Sequence, residues 1–222
     1  GGEEIPCRFV GLAVGVKPNI AQFEDTPLEI DKGILVNEYL ETNLPDVYAI
    51  GDCVQHRQPL PDRKPVEQIW YTGRIMGETI ARTICQERTA YQPGMFFNSA
   101  KFFDIEYQTY GQVPAQTPDD TDTFYWEHPS GRIALRLNYD KESEALTGVN
   151  AFGLRLRHEV CDTWIRGKKS IGYVLSHLKD AHFDPEIFAR HEPAIVEAFN
   201  EKHPDYLIRY VGKPTFWERL FA

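Results

Sequence analysis

The feature that most limits what this chain can fold into is the change of texture at Pro93-Gly94. Before it, short apolar runs of strand length alternate with turn residues and lead into one amphipathic helix. After it, aromatic residues crowd together: residues 91–126 hold ten of the chain's 28 aromatic residues, a third of the rings in a sixth of the length. Proline beside glycine interrupts both helix and strand, so the pair is a natural domain boundary. A chain of 222 residues has room for one large domain or two small ones.

Three runs in the first part read as buried strands: Arg8–Val14, closed by Gly15 and Pro18-Asn19; Ile34–Val36, introduced by Asp31-Lys32-Gly33; and Val47–Ile50, which stops at Gly51-Asp52. Residues 55–65 carry three prolines and read as a loop. From Glu67 to Cys85 the period lengthens. Ile69, Gly73, Met76, Ile80 and Ile84 recur every three or four residues, the stripe of an amphipathic helix. Gly73, Gly77 and Ala81 recur every four, which lets this helix lie close to a neighbour or a ligand.

The second part reads as an antiparallel meander followed by helices. Phe102–Val113 forms one long strand; Thr123–Glu127 and Ile133–Tyr139 flank a turn at His128–Arg132; Ala145–Phe152 is the next strand. Helices follow at Arg157–Arg166, Ser170–Lys179 and Pro185–Lys202, the last with Asp184 as N-cap and Pro185 at its first position. The tail from Tyr206 packs on the surface of this domain.

Composition narrows the function. A net charge of −9 argues against a nucleic-acid partner or an anionic membrane surface, since both want a basic patch. No stretch approaches eighteen apolar residues, so no membrane span is expected. Cys7, Cys53, Cys85 and Cys161 are too scattered for a C-x-x-C redox pair or a zinc knuckle; they read as reduced, mostly buried thiols of a cytoplasmic protein. His177, His182 and His191 with Asp180 and Asp184 lack metal-site spacing, so no metal is expected. The chain starts at Gly1 with neither Met nor a signal sequence, which suggests an excised piece.

The chemistry sits at Leu44–Cys53, where an apolar run delivers Gly51-Asp52 to its carboxyl end, the edge at which open α/β sheets bind ligands. Glycine permits close approach of the backbone, and a carboxylate accepts hydrogen bonds from sugar-type hydroxyls. A bare Gly-Asp serves equally as a turn that caps the next helix.

Together, Gly11–Asn19, Leu44–Cys53 and Val66–Gly77 resemble the FAD-dependent pyridine nucleotide-disulfide oxidoreductases, in particular the NAD(P)H–rubredoxin and NAD(P)H–ferredoxin reductase-like members. The likeness covers roughly residues 1–115. It implies an α+β protein: residues 1–94 as the second segment of a split, Rossmann-like FAD-binding domain, and residues 95–222 as an α+β interface or dimerisation domain with an antiparallel sheet. Gly51 and Asp52 match the family's ribityl-binding Gly-Asp. Gln68, Ile69 and Trp70 match the helix start that faces the flavin pyrimidine, with Trp70 as a core anchor the other reading. Lys101 matches a segment passing near the flavin ring, although a solvated lysine explains it as well. Phe97 and Phe102 read as core residues, or as cover for the flavin edge. No residue in this chain is expected to act as a catalytic acid or base.

No G-x-G-x-x-G loop occurs, so the phosphate-binding loops for FAD and NAD(P)H would lie in preceding segments. His203-Pro204 lacks the glutamate that disulfide reductases place after it, which favours flavin-mediated electron transfer over dithiol chemistry. The implied cofactors are FAD and, as co-substrate, NAD(P)H. The implied partners are the N-terminal FAD- and NAD-binding segments, a second copy in a homodimer, and a small redox protein as electron acceptor. Taken alone, the chain would then be inactive and hold FAD weakly or not at all. The alternative is a non-catalytic dimerisation or redox-partner docking module without flavin.

Overall fold

The computed structural model describes residues 2, 4–61, 63–183 and 189–210. The chain divides into two compact units, Gly1–Gln92 and Pro93–Ala222.

Unit 1 contains two short parallel strands, β1 (Ile34–Val36) and β2 (Val54–His56), with Ile34 opposite Val54. Parallel neighbours need a crossover of a dozen or more residues, and the chain between them supplies it without a helix. Helix α1 (Trp70–Ile84) packs its Thr72, Met76, Thr79 and Ile80 face into a small core with Ile34, Val36, Leu40, Ala49 and Val54. It ends at Cys85, followed by Gln86 at φ 72°, a left-handed residue that stops the helix.

Two expected strands are not strands. Arg8–Val14 is exposed on both side-chain parities, with Phe9 86%, Val10 67% and Leu12 84% accessible, and no described residue pairs with it. A strand needs a ladder partner and a surface to cover its apolar side chains, and this unit offers the run neither. Val47–Ile50 is extended but makes a single bridge, Tyr48 to Glu41, and Val47 and Ile50 stay partly exposed. Conversely, β2 runs two residues into the stretch read as loop, because Gln55 lies in register with Leu35 and its carboxamide holds the turn at Lys32 and Gly33.

Unit 2 is a five-stranded antiparallel sheet with order β3-β4-β7-β6-β5: β3 (Phe97–Phe102), β4 (Ile105–Gly111), β5 (Thr121–Glu127), β6 (Ala134–Asp140) and β7 (Leu146–Phe152). The expected single strand over 102–113 is instead the second arm of a hairpin, turned at Phe103 (φ 52°) and Asp104. Alternation sends Phe124, Trp126, Leu135, Leu137, Val149 and Ala151 to one face, where they form one core with residues of α2 (His158–Arg166), α3 (Ile171–Ser176) and α4 (Glu192–Lys202). Burying each such side chain contributes about 1.5–3 kcal/mol. Ser170 caps α3 by accepting from Tyr173 N–H at 3.3 Å.

Helix α4 begins at Glu192 with Pro193 in its first turn, not at Pro185: residues 189–191 are non-helical. The expected Asp184 cap and Pro185 lie outside the described residues. Tyr206, Ile208 and Tyr210 pack against this core, and the Tyr206 hydroxyl donates to Glu144 at 2.7 Å; the remainder of the expected tail lies outside the described residues.

The thiols also depart from expectation. All four are free, yet Cys7 and Cys85 are exposed and only Cys161 is buried, where loss of solvent pushes its pKa up to about 12. Among the described residues no helix is long and apolar enough to cross a membrane, and no cluster of three metal-ligating side chains occurs.

Candidate functional site

The chain reaches Ile50 extended and then turns sharply: Gly51 has φ +82°, a conformation that L side chains rarely adopt, and Gly51–Cys53 form one 3-10 turn. A Cβ built on Gly51 would meet nothing within 4 Å, so the space beside it is open. The turn is pinned to α1. The Gly51 N–H points at the Met76 sulfur, 3.2 Å away, and a Cβ on Gly73 would sit 3.7 Å from the Gly51 Cα. Two glycines face one another, so turn and helix approach closely. The small-residue stripe seen in the sequence thus has a structural use at Gly73.

The start of α1 is the second component. Its N-cap, Ile69, is extended and gives no side-chain hydrogen bond to the helix; the Thr72 hydroxyl caps nothing either, since it donates to the Ile69 carbonyl at 2.8 Å. A helix start without a side-chain cap keeps N–H groups and partial positive charge available for an acceptor. The approach to the helix is held by the Arg63–Glu67 ion pair, whose side chains are 8% and 7% exposed, and by the stacked rings of His56 and Tyr91, 5.1 Å apart.

The structure therefore brings Gly51, Asp52 and the first turns of α1 together. The Asp52 carboxylate is exposed and takes no hydrogen bond from a described residue. Gln68 and Ile69 are half-buried at the helix entry. Trp70 is 69% exposed, edge-on to Tyr71 and 5.9 Å from the Arg74 guanidinium, so it is not a core anchor. Lys101 lies in the other unit, exposed on β3 opposite Glu106. Of the two phenylalanines read as core, Phe97 packs against Tyr110 and His158, whereas Phe102 is 61% exposed because it falls on the uncovered face of the sheet. The Met76 contact was missed by sequence reasoning; a methionine on the buried stripe carries no sign that its sulfur meets a backbone N–H.

Chemically, an unencumbered carboxylate, an open glycine turn and an uncapped helix start form an acceptor-and-donor surface for a polyhydroxylated, partly anionic ligand. Solved reductases share the fold. A NAD-dependent persulfide reductase from A. fulgidus superposes with a TM-score of 0.63 at 24% identity, over 86% of this chain and 38% of that one. A ferredoxin reductase from Rhodopseudomonas palustris gives 0.57 at 20% identity, over 68% of this chain and 36% of that one.

The sequence places the chain more narrowly. Residues 1–77 match the model of the pyridine nucleotide-disulphide oxidoreductases, and the relatives of the chain put that match on the family's rubredoxin and ferredoxin reductase-like side. A ferredoxin–NAD(P)(+) reductase of Sphingomonas sp is 30% identical over 67% of this chain and 36% of that protein. A rubredoxin–NAD(+) reductase of Acinetobacter baylyi is 34% identical over 42% of this chain and 23% of that protein. The chain spans between 7% and 36% of the length of such curated relatives.

Proposed function

We propose that this chain supplies the ribityl and pyrimidine side of the FAD site in an NAD(P)H-dependent flavin oxidoreductase. Unit 1 is the second segment of the split FAD-binding domain and unit 2 the interface domain. The observation that carries the reading is the Gly51-Asp52 turn seated against the uncapped start of α1, with open space beside the glycine and a free carboxylate beside it. These residues fit the cofactor. Asp52 accepts hydrogen bonds from ribityl hydroxyls, Gly51 leaves room for the chain of the ligand, and the N–H groups at Ile69–Trp70 face the pyrimidine oxygen.

FAD, when bound, accepts a hydride from NAD(P)H and passes electrons on. The residues of this chain bind and orient it; none is asked to move a proton. The exposed Arg8–Val14 run supports the same reading, since it is apolar, strand-length and uncovered, as expected of a strand whose neighbours lie in the preceding FAD- and NAD-binding segments. The uncovered face of unit 2, with Phe102, Ile105 and Phe152 exposed, supports a second role as a surface for a homodimer partner or a small redox protein acceptor.

The test is flavin retention. Joined to its preceding segments, the protein should be yellow with saturating FAD, and Asp52→Ala should weaken FAD binding by about tenfold or more, the worth of a hydrogen bond to a charged group. Unchanged flavin occupancy in Asp52→Ala would remove the ribityl assignment. The 222-residue chain alone should bind FAD weakly, because its sequence carries no G-x-G-x-x-G loop for the phosphates on the adenosine half of the ligand.

A further inference from the structure

Unit 2 carries a pocket of about 240 Å³, partly open to solvent, that the flavin reading does not use. Its walls are aliphatic, chiefly Ile133, Leu135, Leu154, Leu178 and Ile195, and one end is polar, where His182 and Glu192 lie. Those two side chains are 8% and 7% exposed. His182 is fixed by its neighbours: it bridges Leu156, while Arg157 N–H donates to the Ala181 carbonyl at 2.7 Å and Phe183 N–H to the Arg155 carbonyl at 3.0 Å. Glu192 is fixed as the first residue of α4. The His182 Nδ1 contacts Glu192 Oε1, so one oxygen of the carboxylate is satisfied. The other, Oε2, is buried and has no hydrogen-bond partner among the described residues.

A buried carboxylate oxygen without a donor is costly, and a water, an ion or a ligand that donates to it relieves the cost. One water would satisfy Oε2 but occupies roughly 30 Å³, leaving most of the cavity an apolar void. An apolar cavity of about 150 Å³ takes up benzene, so this one has space for a ring with a substituent. The donor belongs on that substituent. Arg155, ion-paired with Glu106, also lines the pocket, as does His191 beside His182, so an ammonium group would sit among a guanidinium and two imidazoles.

We propose that this cavity is a binding site for a neutral hydroxyl-bearing ring of the phenol class. The ring packs on Leu135, Leu154, Leu178 and Ile195, and its hydroxyl donates to Glu192 Oε2. His182 is a positioning residue: its ring holds the carboxylate so that Oε2 faces the ligand. The site stands independently of the flavin assignment, since its walls all belong to unit 2.

Amide resonances of the 222-residue chain, titrated separately with phenol, toluene and benzylammonium, test it. Phenol should shift the resonances of the cavity walls saturably and bind about tenfold tighter than toluene, which lacks only the donor. The double variant Glu192→Leu with His182→Leu, which leaves neither donor nor acceptor at the polar end, should bring phenol to within about twofold of toluene. Ile195→Trp should abolish binding of both by filling the space. Equal affinities for phenol and toluene in the unsubstituted chain overturn the proposal, as does tighter binding of benzylammonium than phenol. Shifts confined to residues outside the cavity, or none at all, overturn it too. The comparison of ligands on the unsubstituted chain decides the matter even where a variant fails to fold.

Discussion

In unit 2 the inward residues of β5, β6 and β7 share one core with three helices, whereas in unit 1 the longest apolar run, Arg8–Val14, lies open with Phe9 and Val14 86% and 90% accessible. The first unit has a two-stranded sheet and one helix; the second closes its sheet on one face completely. Both have ordinary apolar sequence, so the difference is one of available neighbours. A two-stranded ribbon with a single helix is near the lower limit of independent stability, while five strands covered by helices are well above it. Unit 2 should therefore be the more stable of the two, and its core the more sensitive to truncation.

The sharpest way to break this contrast is Phe199→Ala. Phe199 is fully buried on α4, edge-on to Phe124 at 5.0 Å and stacked on His203 at 4.4 Å. Its removal should cost unit 2 about 3–5 kcal/mol, read as lost hydrogen-exchange protection in β5 and α4. Protection in unit 1 should not change; an equal loss there would mean that the units unfold as one body. Gly148→Ala should cost about 3 kcal/mol, because the new Cβ would lie 2.0 Å from the Gln112 carbonyl oxygen across the sheet. Met76→Ala probes the other side. It should cost unit 1 about 2 kcal/mol and free the Gly51 turn, lowering FAD binding in the joined protein without changing the midpoint of unit 2 in denaturant.

How much of this was legible beforehand follows the same division. The β5–β6 turn could be read because proline and glycine specify it locally: Gly131 takes φ +66° and its N–H donates to the His128 carbonyl at 2.9 Å. Helix α1 was readable from its period, and Gly51-Asp52 from glycine's place at the end of an apolar run. The β3–β4 hairpin was not, since its left-handed residue is Phe103, which carries no turn signal. The short strand β2 was hidden because its pairing with β1 is a long-range fact. The His182–Glu192 pair was invisible for the same reason: the partners stand ten positions apart in the sequence, and no helical or strand period relates them. Arg8–Val14 shows the limit from the other direction, for apolar content indicates what a segment would bury and not whether a neighbour is present.

The smallest effect concerns protons in unit 1. His56 stacks on Tyr91, and burial holds its pKa below the ordinary 6.5, with the Glu67 carboxylate opposing and the Arg63 guanidinium adding. Its Nε2 is buried without a described partner, so a proton there has no acceptor. The unfolded chain then binds the proton more readily than the folded one below pH 6.5. The stabilising contribution is complete above that pH and declines as pH falls towards the lower folded value. Glu41 does not confuse the reading. Hydrogen bonds from Arg88 and Asn37 lower its pKa from 4.5 to about 2, so its contribution is lost only under more acid conditions. His191 in unit 2 is depressed by burial as well, so both units should soften between pH 7 and 5. His56→Phe separates them: it keeps a ring against Tyr91 and removes the titrating group. Hydrogen exchange at β2 should lose its slope across pH 7 to 5 in this variant while α4 keeps its own. A slope that persists at β2 would show that the buried His56 ring is not what couples unit 1 to acid.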